Sequence, residues 1–222
     1  MKKKQLLIIS SICVAFMSLS GCQKEPLLYE YGPFNYDSFK KITSNGAVNI
    51  ILQPGTCNKI IRKTMVSPHV SSSGGVLTLN GTGEITIAVK DLESIDMYSG
   101  SLTNTDSVFL NNLSISEQSA KIILNNIYID STMTMRLNNS RYCFISGKAS
   151  YLMLVVNNNP RFLGAGFVTD SCRVSYHSKG SSHLNTTSSL KGAIYNNGDI
   201  YYKGNPSAVH VSSVGSGQAI AQ

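Results

Sequence analysis

The feature that most limits what this chain can fold into is a repeat. Six short strings carry it: SIDMYSG from Ser94, SISEQSA from Ser114, TMRLNNS from Thr134, MLVVNNN from Met153, RVSYHSK from Arg173 and AIYNNGD from Ala193. Each has an apolar residue in second place, at Ile95, Ile115, Met135, Leu154, Val174 and Ile194, at intervals of 20, 20, 19, 20 and 20. Four positions later comes a small or amide residue: Ser99, Ser119, Asn139, Asn158, Ser178 or Gly198. Like side chains recurring at a fixed period mark a solenoid, in which each unit buries its apolar residues only against its neighbours. Twenty residues are too few for a helix pair and suit one coil of a β-helix. Stacked at the strand spacing of about 4.8 Å, six coils form a rod roughly 25–30 Å long. An antiparallel sandwich would account for the strands but not for the near-constant interval.

The rest of the chain agrees with an all-β fold. Charged residues are only 14% and there is no Trp, while Gly, Ser, Asn, Thr and Tyr are abundant, a mix that favours strands and turns. Between residues 37 and 90, apolar and polar residues alternate in AVNIIL (47–52), KIIRKTMV (59–66), VLTLN (76–80) and EITIAV (84–89). Turn signals at Gln53-Pro54-Gly55, Ser73-Gly74-Gly75 and Gly81-Thr82-Gly83 separate them, so the segment reads as short strands in hairpins. The expected architecture is a single-stranded β-helix over residues 37–222, its first coil capped by this N-terminal β-hairpin region.

The chain opens with MKKKQLLIISSICVAFMSLSGC: a basic stretch (Lys2, Lys3, Lys4), an uncharged and mostly apolar run to Leu19, then Leu19-Ser20-Gly21-Cys22. This is the pattern of a secretory leader over residues 1–21. Its end resembles the bacterial lipobox, which implies cleavage before Cys22 and lipidation of that cysteine. Several acyl chains anchor stably where one is marginal. Gln23 in place of Asp favours export to the outer membrane, and Lys24-Glu25 resembles a short form of a Bacteroidetes surface-export signal. Residues 22–36 then read as a tether. Loss of the three leader lysines lowers the formal charge from +7 to +4, an excess too mild to single out nucleic acid as a partner. Of five cysteines, Cys57, Cys143 and Cys172 remain. Their spacings match no zinc or redox motif, and small buried hydrophobes are the favoured reading.

The stretch GDIYYKGNPSAVHVSSVGSGQAIAQ (198–222) resembles the end of the DUF2807 family, also called the putative autotransporter adhesin, head GIN domain. The shared elements are the bend Gly198-Asp199, the strand Ile200–Tyr202, the run Lys203 to Pro206 and the last bend Gly215 to Gly217. FKKITSNGAVNIILQPG (39–55) is similar to the family's first hairpin. The resemblance spans roughly residues 37–220. It implies a β-solenoid of the kind found on secreted proteins and lipoproteins of Bacteroidetes, and it supplies no catalytic residues. The family's repeated Ser-Gly-Ala bends are here Ser-Gly, Ser-Ala, Asn-Ser and Asn-Asn.

Candidate chemistry is sparse. Asp130 and Asp170 nearly share a coil position two coils apart, about 9–10 Å at the stacking distance, which could suit an inverting glycosidase, but no supporting cluster accompanies them. His177 and His183 share a coil without an evident third ligand, so no metal site is read there. Asp106-Ser107-Val108 and Asp130-Ser131-Thr132 resemble a Bacteroidetes O-glycosylation motif. No cofactor motif is present. Lys121, Arg141 and Arg161 fall at nearly equal positions in three consecutive coils and predict a column of positive charge suited to an anionic ligand. Its rival is a solvated face with splayed side chains. Tyr142 and Phe162, the next residues, are expected to face the core.

The function expected from these residues is that of a non-catalytic cell-envelope lipoprotein. It is held to the outer membrane by its lipid, and it presents a solenoid for adhesion or for binding a glycan, another anionic ligand or an envelope protein, as a monomer or a homo-oligomer. A structural scaffold without a soluble ligand is the alternative, and a carbohydrate-active enzyme the third. Asn157-Asn158-Asn159 falls at a bend, Asn157 under Asn138 and Asn158 under Asn139 and Ser178, which predicts an amide ladder rather than a ligand site.

Overall fold

The structure of the protein is a computed structural model that describes residues 28–32, 34–65, 67–140 and 142–222; the leader, Cys22 and Arg141 lie outside the described residues. Every regular element among the described residues is a strand. The N-terminal part contains β1 (Tyr29–Tyr31), β2 (Lys41–Pro54), β3 (Lys59–Thr64), β4 (His69–Ser73), β5 (Val76–Asn80) and β6 (Thr82–Val89). The repeat begins with β7 (Ser94–Asn104), β8 (Val108–Leu110) and β9 (Leu113–Glu117). It continues through β10 (Lys121–Leu137), β11 (Cys143–Asn158), β12 (Phe162–Ser178) and β13 (Ser182–Ile194). It closes with β14 (Ile200–Lys203), β15 (Ala208–Ser213) and β16 (Ala219–Ala221). Pairing from β7 onward is parallel throughout. The result is a β-solenoid of about six coils of roughly 20 residues.

One strand shows how a coil is made. The register of β10 against β11 slips between Leu124 and Ile127 and between Ile129 and Thr132. These breaks, at Asn125-Asn126 and Asp130-Ser131, bend the strand into three straight pieces: 121–124, 127–129 and 132–137. Stacked, the pieces form three faces. Alternation then sends every second side chain inward. On the third face Ile95, Ile115, Met135, Leu154 and Val174 pair in one column, each at most 2% exposed. The sixth marker slips: Val174 pairs with Gly192, and Ile194 stands opposite Tyr176. That coil is two residues short on this face. A shift of two preserves which side chains face in, so Ile194 is still fully buried.

The N-terminal segment does cover the first coil, by a different route from the one the turn signals suggest. β2 pairs in parallel with β7 on one side and with β5 and β6 on the other. β3 and β4 then run antiparallel on β6 and β5. The stretch 41–54, read as a hairpin, is therefore one strand that turns a solenoid corner near Asn45-Gly46, and Pro54-Gly55 leads away to β3. Among the described residues only the turn at Gly74-Gly75 closes a hairpin between sequential strands, β4 and β5. The presumed tether is also partly docked. β1 pairs with β3, Arg62 lies 4.4 Å over the Tyr29 ring, Lys63 pairs with Glu30 at 2.6 Å, and Phe34 and Tyr36 pack on the core. The antiparallel strands replace a bare solenoid edge with a different hydrogen-bonding pattern, which ends the stack.

The bends carry the asparagine ladder. Asn157 donates from Nδ2 to Asn138 Oδ1 at 2.8 Å, and Asn158 donates to Asn139 Oδ1 at 2.9 Å and to the Asn138 carbonyl at 3.0 Å. The column ends at Ser178, which turns inward and bonds the Pro160 carbonyl and the Gly180 N–H instead. Asn158 sits at φ 64°, a left-handed backbone that asparagine tolerates and leucine does not. Asn158→Leu is therefore expected to cost about 2 kcal/mol, from two lost hydrogen bonds and the backbone penalty. Asn158→Gly, which keeps the backbone, should cost less. Chemical denaturation followed by circular dichroism reads both, and a leucine variant as stable as the parent would remove the ladder.

The three cysteines are free: Cys143 and Cys172 are buried, as expected, but Cys57 is exposed. Burial pushes both inner thiols up, Cys172 to about 12, and the nearby Glu117 adds to the shift at Cys143. They are inert core residues.

Candidate binding surface

Outward side chains in successive coils stand one strand spacing apart, about 4.8 Å, so any column on a face is a ready-made linear array. Of the column expected from Lys121, Arg141 and Arg161, Arg141 lies outside the described residues, and the register of its neighbours shows what stands between the other two. Ile122 pairs with Cys143 and Cys143 with Phe162, so the residues preceding these are Lys121, Tyr142 and Arg161. Tyr142 is only partly buried, and the Lys121 ammonium lies 5.7 Å from the centre of its ring. Tyr142 thus occupies the outer register position between the two cations, whereas Phe162 is 1% exposed and faces the core as expected. The reason is local. The step from Ile122 to Cys143 is 21 residues and the next is 19. The extra residue lies in the bend before the first face, and a count from third-face markers misses it. A cation over an aromatic ring is attractive and removes much of the like-charge repulsion that the sequence implied.

Beside these residues runs an array that the sequence reading missed. Ile51, Thr103, Ile123, Phe144, Leu163, His183, Tyr201 and Ile220 pair in unbroken succession on the outside of the first face. All are partly or well exposed, Phe144 at 39%, and the His183 and Tyr201 rings stack at 5.3 Å. Seven steps at strand spacing make the stripe about 33 Å long. Five of the eight residues are aliphatic or phenylalanine, with Thr103, His183 and Tyr201 among them, a composition suited to contact with a partner. Its signal was present in the sequence as runs that fail to alternate: Ile122-Ile123-Leu124, Cys143-Phe144-Ile145 and Phe162-Leu163. In each, the middle or last residue belongs outside. On the second face Phe109 and Tyr128 form a smaller outward stack, 4.9 Å apart.

The candidate chemical groups do not converge. Ile129, Ala149 and Thr169 pair in turn, which places Asp130, Ser150 and Asp170 at one corner, two coils between the acids. Ser150 bonds the Asp130 carbonyl at 2.6 Å, and no further acid or base joins them. His177 stacks on Tyr195 at 4.2 Å, while His183 belongs to the first-face stripe, so the two histidines serve different faces. Tyr176 is buried, its hydroxyl bonded to the Gly180 carbonyl and to Ser182 Oγ, with burial raising its pKa. Among the described residues no three His, Cys, Asp or Glu side chains are grouped to hold a metal ion. At the N-terminal end a cleft of about 490 Å³ is lined in part by Phe39, Lys40, Cys57, Lys90 and Glu93. Lys40 there is paired with Asp91 and Glu93.

Comparison with known proteins agrees with this geometry. The fold is similar to that of a "putative adhesin" from Bacteroides fragilis NCTC 9343, at 18% identity and a TM-score of 0.78, over 90% of this chain and 98% of that one. It is also similar to a "putative adhesin" from Parabacteroides distasonis ATCC 8503, at 14% identity and a TM-score of 0.60, over 89% and 97% of the two chains. A "putative lipid binding protein" from the same organism matches at 14% identity and a TM-score of 0.60, over 88% and 97%. At these identities the likeness is one of fold. No curated protein sequence matches the chain. A family model described as "Putative auto-transporter adhesin, head GIN domain" matches residues 38–206, and with most of the solenoid inside that match, the chain belongs to this family, DUF2807.

Proposed function

We propose that this protein is a non-catalytic envelope lipoprotein that binds glycan along the first face of its solenoid. The observation that carries the reading is the outward stripe from Ile51 to Ile220 with Lys121, Tyr142 and Arg161 beside it. Sugar rings present flat C–H faces that stack on Phe144, His183 and Tyr201. The flanking cations and the tyrosine hydroxyl supply directional contacts at the edge. A rigid array of equal steps suits a chain of repeating units. A surface or envelope location accords with the family's description, and lipid attached at Cys22 would hold the domain at the outer membrane, with β1 the first described strand after it. Asp130 and Asp170 share a corner without a further acid or base beside them, and His177 and His183 lie on separate faces, which supports binding rather than turnover.

The test is a glycan array, with pull-down from an envelope lysate, using the full domain and a variant with Phe144, Leu163 and Tyr201 all changed to Ser. Binding by the parent that is lost in a folded variant is the expected result. Equal behaviour of the two proteins would favour the scaffold reading instead. Cys22→Ala should move the protein from the membrane to the soluble fraction, and protease treatment of intact cells should remove the parent if it faces outward.

A further inference from the structure

A second column of basic side chains lies on a different face and has no counterpart in the repeat count. Met153 pairs with Arg173, Arg173 with Lys191, and Lys191 with His210. Arg173, Lys191 and His210 therefore stand on three successive coils, on the outside of the third face, one strand spacing apart. All three are exposed. Their sequence intervals are 18 and 19, because the coil between β12 and β13 is short on this face, so a search at period 20 passes over them.

The column borders a cleft of about 600 Å³ whose lining also includes Tyr151, Ser171 and Ser189. Ser189 donates from its hydroxyl to Ser171 Oγ at 3.0 Å, so the wall holds an ordered pair of hydroxyls. Gly192 forms part of the floor. Its φ is 141° and a Cβ there would overlap the Val174 carbonyl, so this position admits no side chain. Among the described residues no carboxylate lines the cleft. The nearest acid in sequence, Asp170, stands at the preceding corner in line with Ser150 and Asp130. Near the N-terminal end Lys40 is paired with Asp91 and Glu93, Arg62 with Glu84, and Lys63 with Glu30. Among the described residues Arg173 and Lys191 form no such pair.

Like charges stacked on neighbouring strands repel. A bound polyanion would reverse that repulsion. Arg173 presents a planar fork of donors, Lys191 a mobile ammonium, and His210 a ring N–H in either tautomer. We infer that this cleft binds an acidic glycan, one whose neighbouring sulfate or carboxylate groups meet the three basic residues while its hydroxyls meet Ser171, Ser189 and Tyr151. A phospholipid surface fits less well. The site is a recess rather than a plane, and it lies toward the opposite end of the sheet from β1, the strand nearest the expected anchor. The site is separate from the first-face stripe and stands or falls independently of it.

The experiment is isothermal titration of the full domain with a size-defined, fully sulfated heparin oligosaccharide, with its desulfated counterpart, and with phosphatidylglycerol vesicles. Arg173→Ser/Lys191→Ser is the test variant, and Arg173→Lys/Lys191→Arg is the conservative control, with circular dichroism confirming the fold of each. The expected result is binding of the sulfated oligosaccharide that weakens with rising salt, falls at least tenfold in the serine variant and survives in the control. Binding of the sulfated oligosaccharide should persist when Phe144, Leu163 and Tyr201 are changed to Ser, which separates this site from the stripe. Equal affinity for the desulfated oligosaccharide, preference for the vesicles, or an unchanged affinity in the serine variant would each overturn the inference.

Discussion

Gly147→Ala is expected to be among the most damaging single changes in this protein, although it adds one methyl group. Gly147 pairs with Ile127 of the coil before it and Phe167 of the coil after it. Its φ is 127°, and a Cβ built there would overlap the Ile127 carbonyl oxygen and crowd the Ile127 backbone. The obstacle is main chain, which cannot swing aside as a long side chain can. Either the coils separate, losing ladder hydrogen bonds and contacts in the column that holds Val108, Ile127 and Phe167, or the backbone of residue 147 leaves its turn. Backbone strain and overpacking each cost about 1–3 kcal/mol, so a loss of about 3–5 kcal/mol is expected. For a domain of this size that lowers the melting temperature by roughly 10 °C or more. Thermal unfolding followed by circular dichroism measures it. A variant melting within two degrees or so of the parent would mean that the coils do not approach at residue 147 as described.

The second large effect is expected at Glu117, which is fully buried. It takes an inward position in the column of Met97 and Leu137, where an apolar residue would be the ordinary choice. Its carboxylate accepts the N–H groups of Ala120 at 2.9 Å, Asn138 at 2.8 Å and Ser140 at 3.4 Å. These amides belong to two consecutive bends, so one side chain closes both. Glu117→Ala would leave three backbone donors without an acceptor, and with a charged acceptor lost the cost should be about 3 kcal/mol or more. Glu117→Gln keeps the shape but turns an amide N–H₂ toward the backbone donors on one side, so an intermediate loss is expected. Urea denaturation of the three proteins orders them. Equal stability of Gln and Ala variants would mean that packing, not acceptance of these N–H groups, is what Glu117 provides.

Glu117 also illustrates where reading the sequence stops. Its position in the repeat was visible, but its polar neighbours in SISEQSA give no sign that it is buried. Nothing local reveals that two bends, twenty residues apart in the chain, converge on it. The stripe of Phe144, Leu163 and Tyr201 was half legible: the apolar runs exceeded what one inward face requires, but which residue of each run turns outward depends on the register. Lys121, Tyr142 and Arg161 fall into line only because one coil is a residue longer at its bend and the next a residue shorter. Arg173, Lys191 and His210 fall into line only because another coil is short.

The repeat alone determined that this chain is a β-solenoid. A fixed interval of apolar residues can be satisfied by stacking like on like, and the inward parity of a strand survives a slip of two residues. The asparagine bends followed for the same reason, since identical amides at one bend can bond directly from coil to coil. What only the tertiary structure decided is the outer surface. Inward columns are selected by exclusion of water and tolerate a shift of two. An outward column is defined by strict adjacency, and a single residue gained or lost at a bend moves a cation from one neighbour to another. The faces on which binding is proposed were therefore set by three irregular coils rather than by the regular ones that made the fold recognisable.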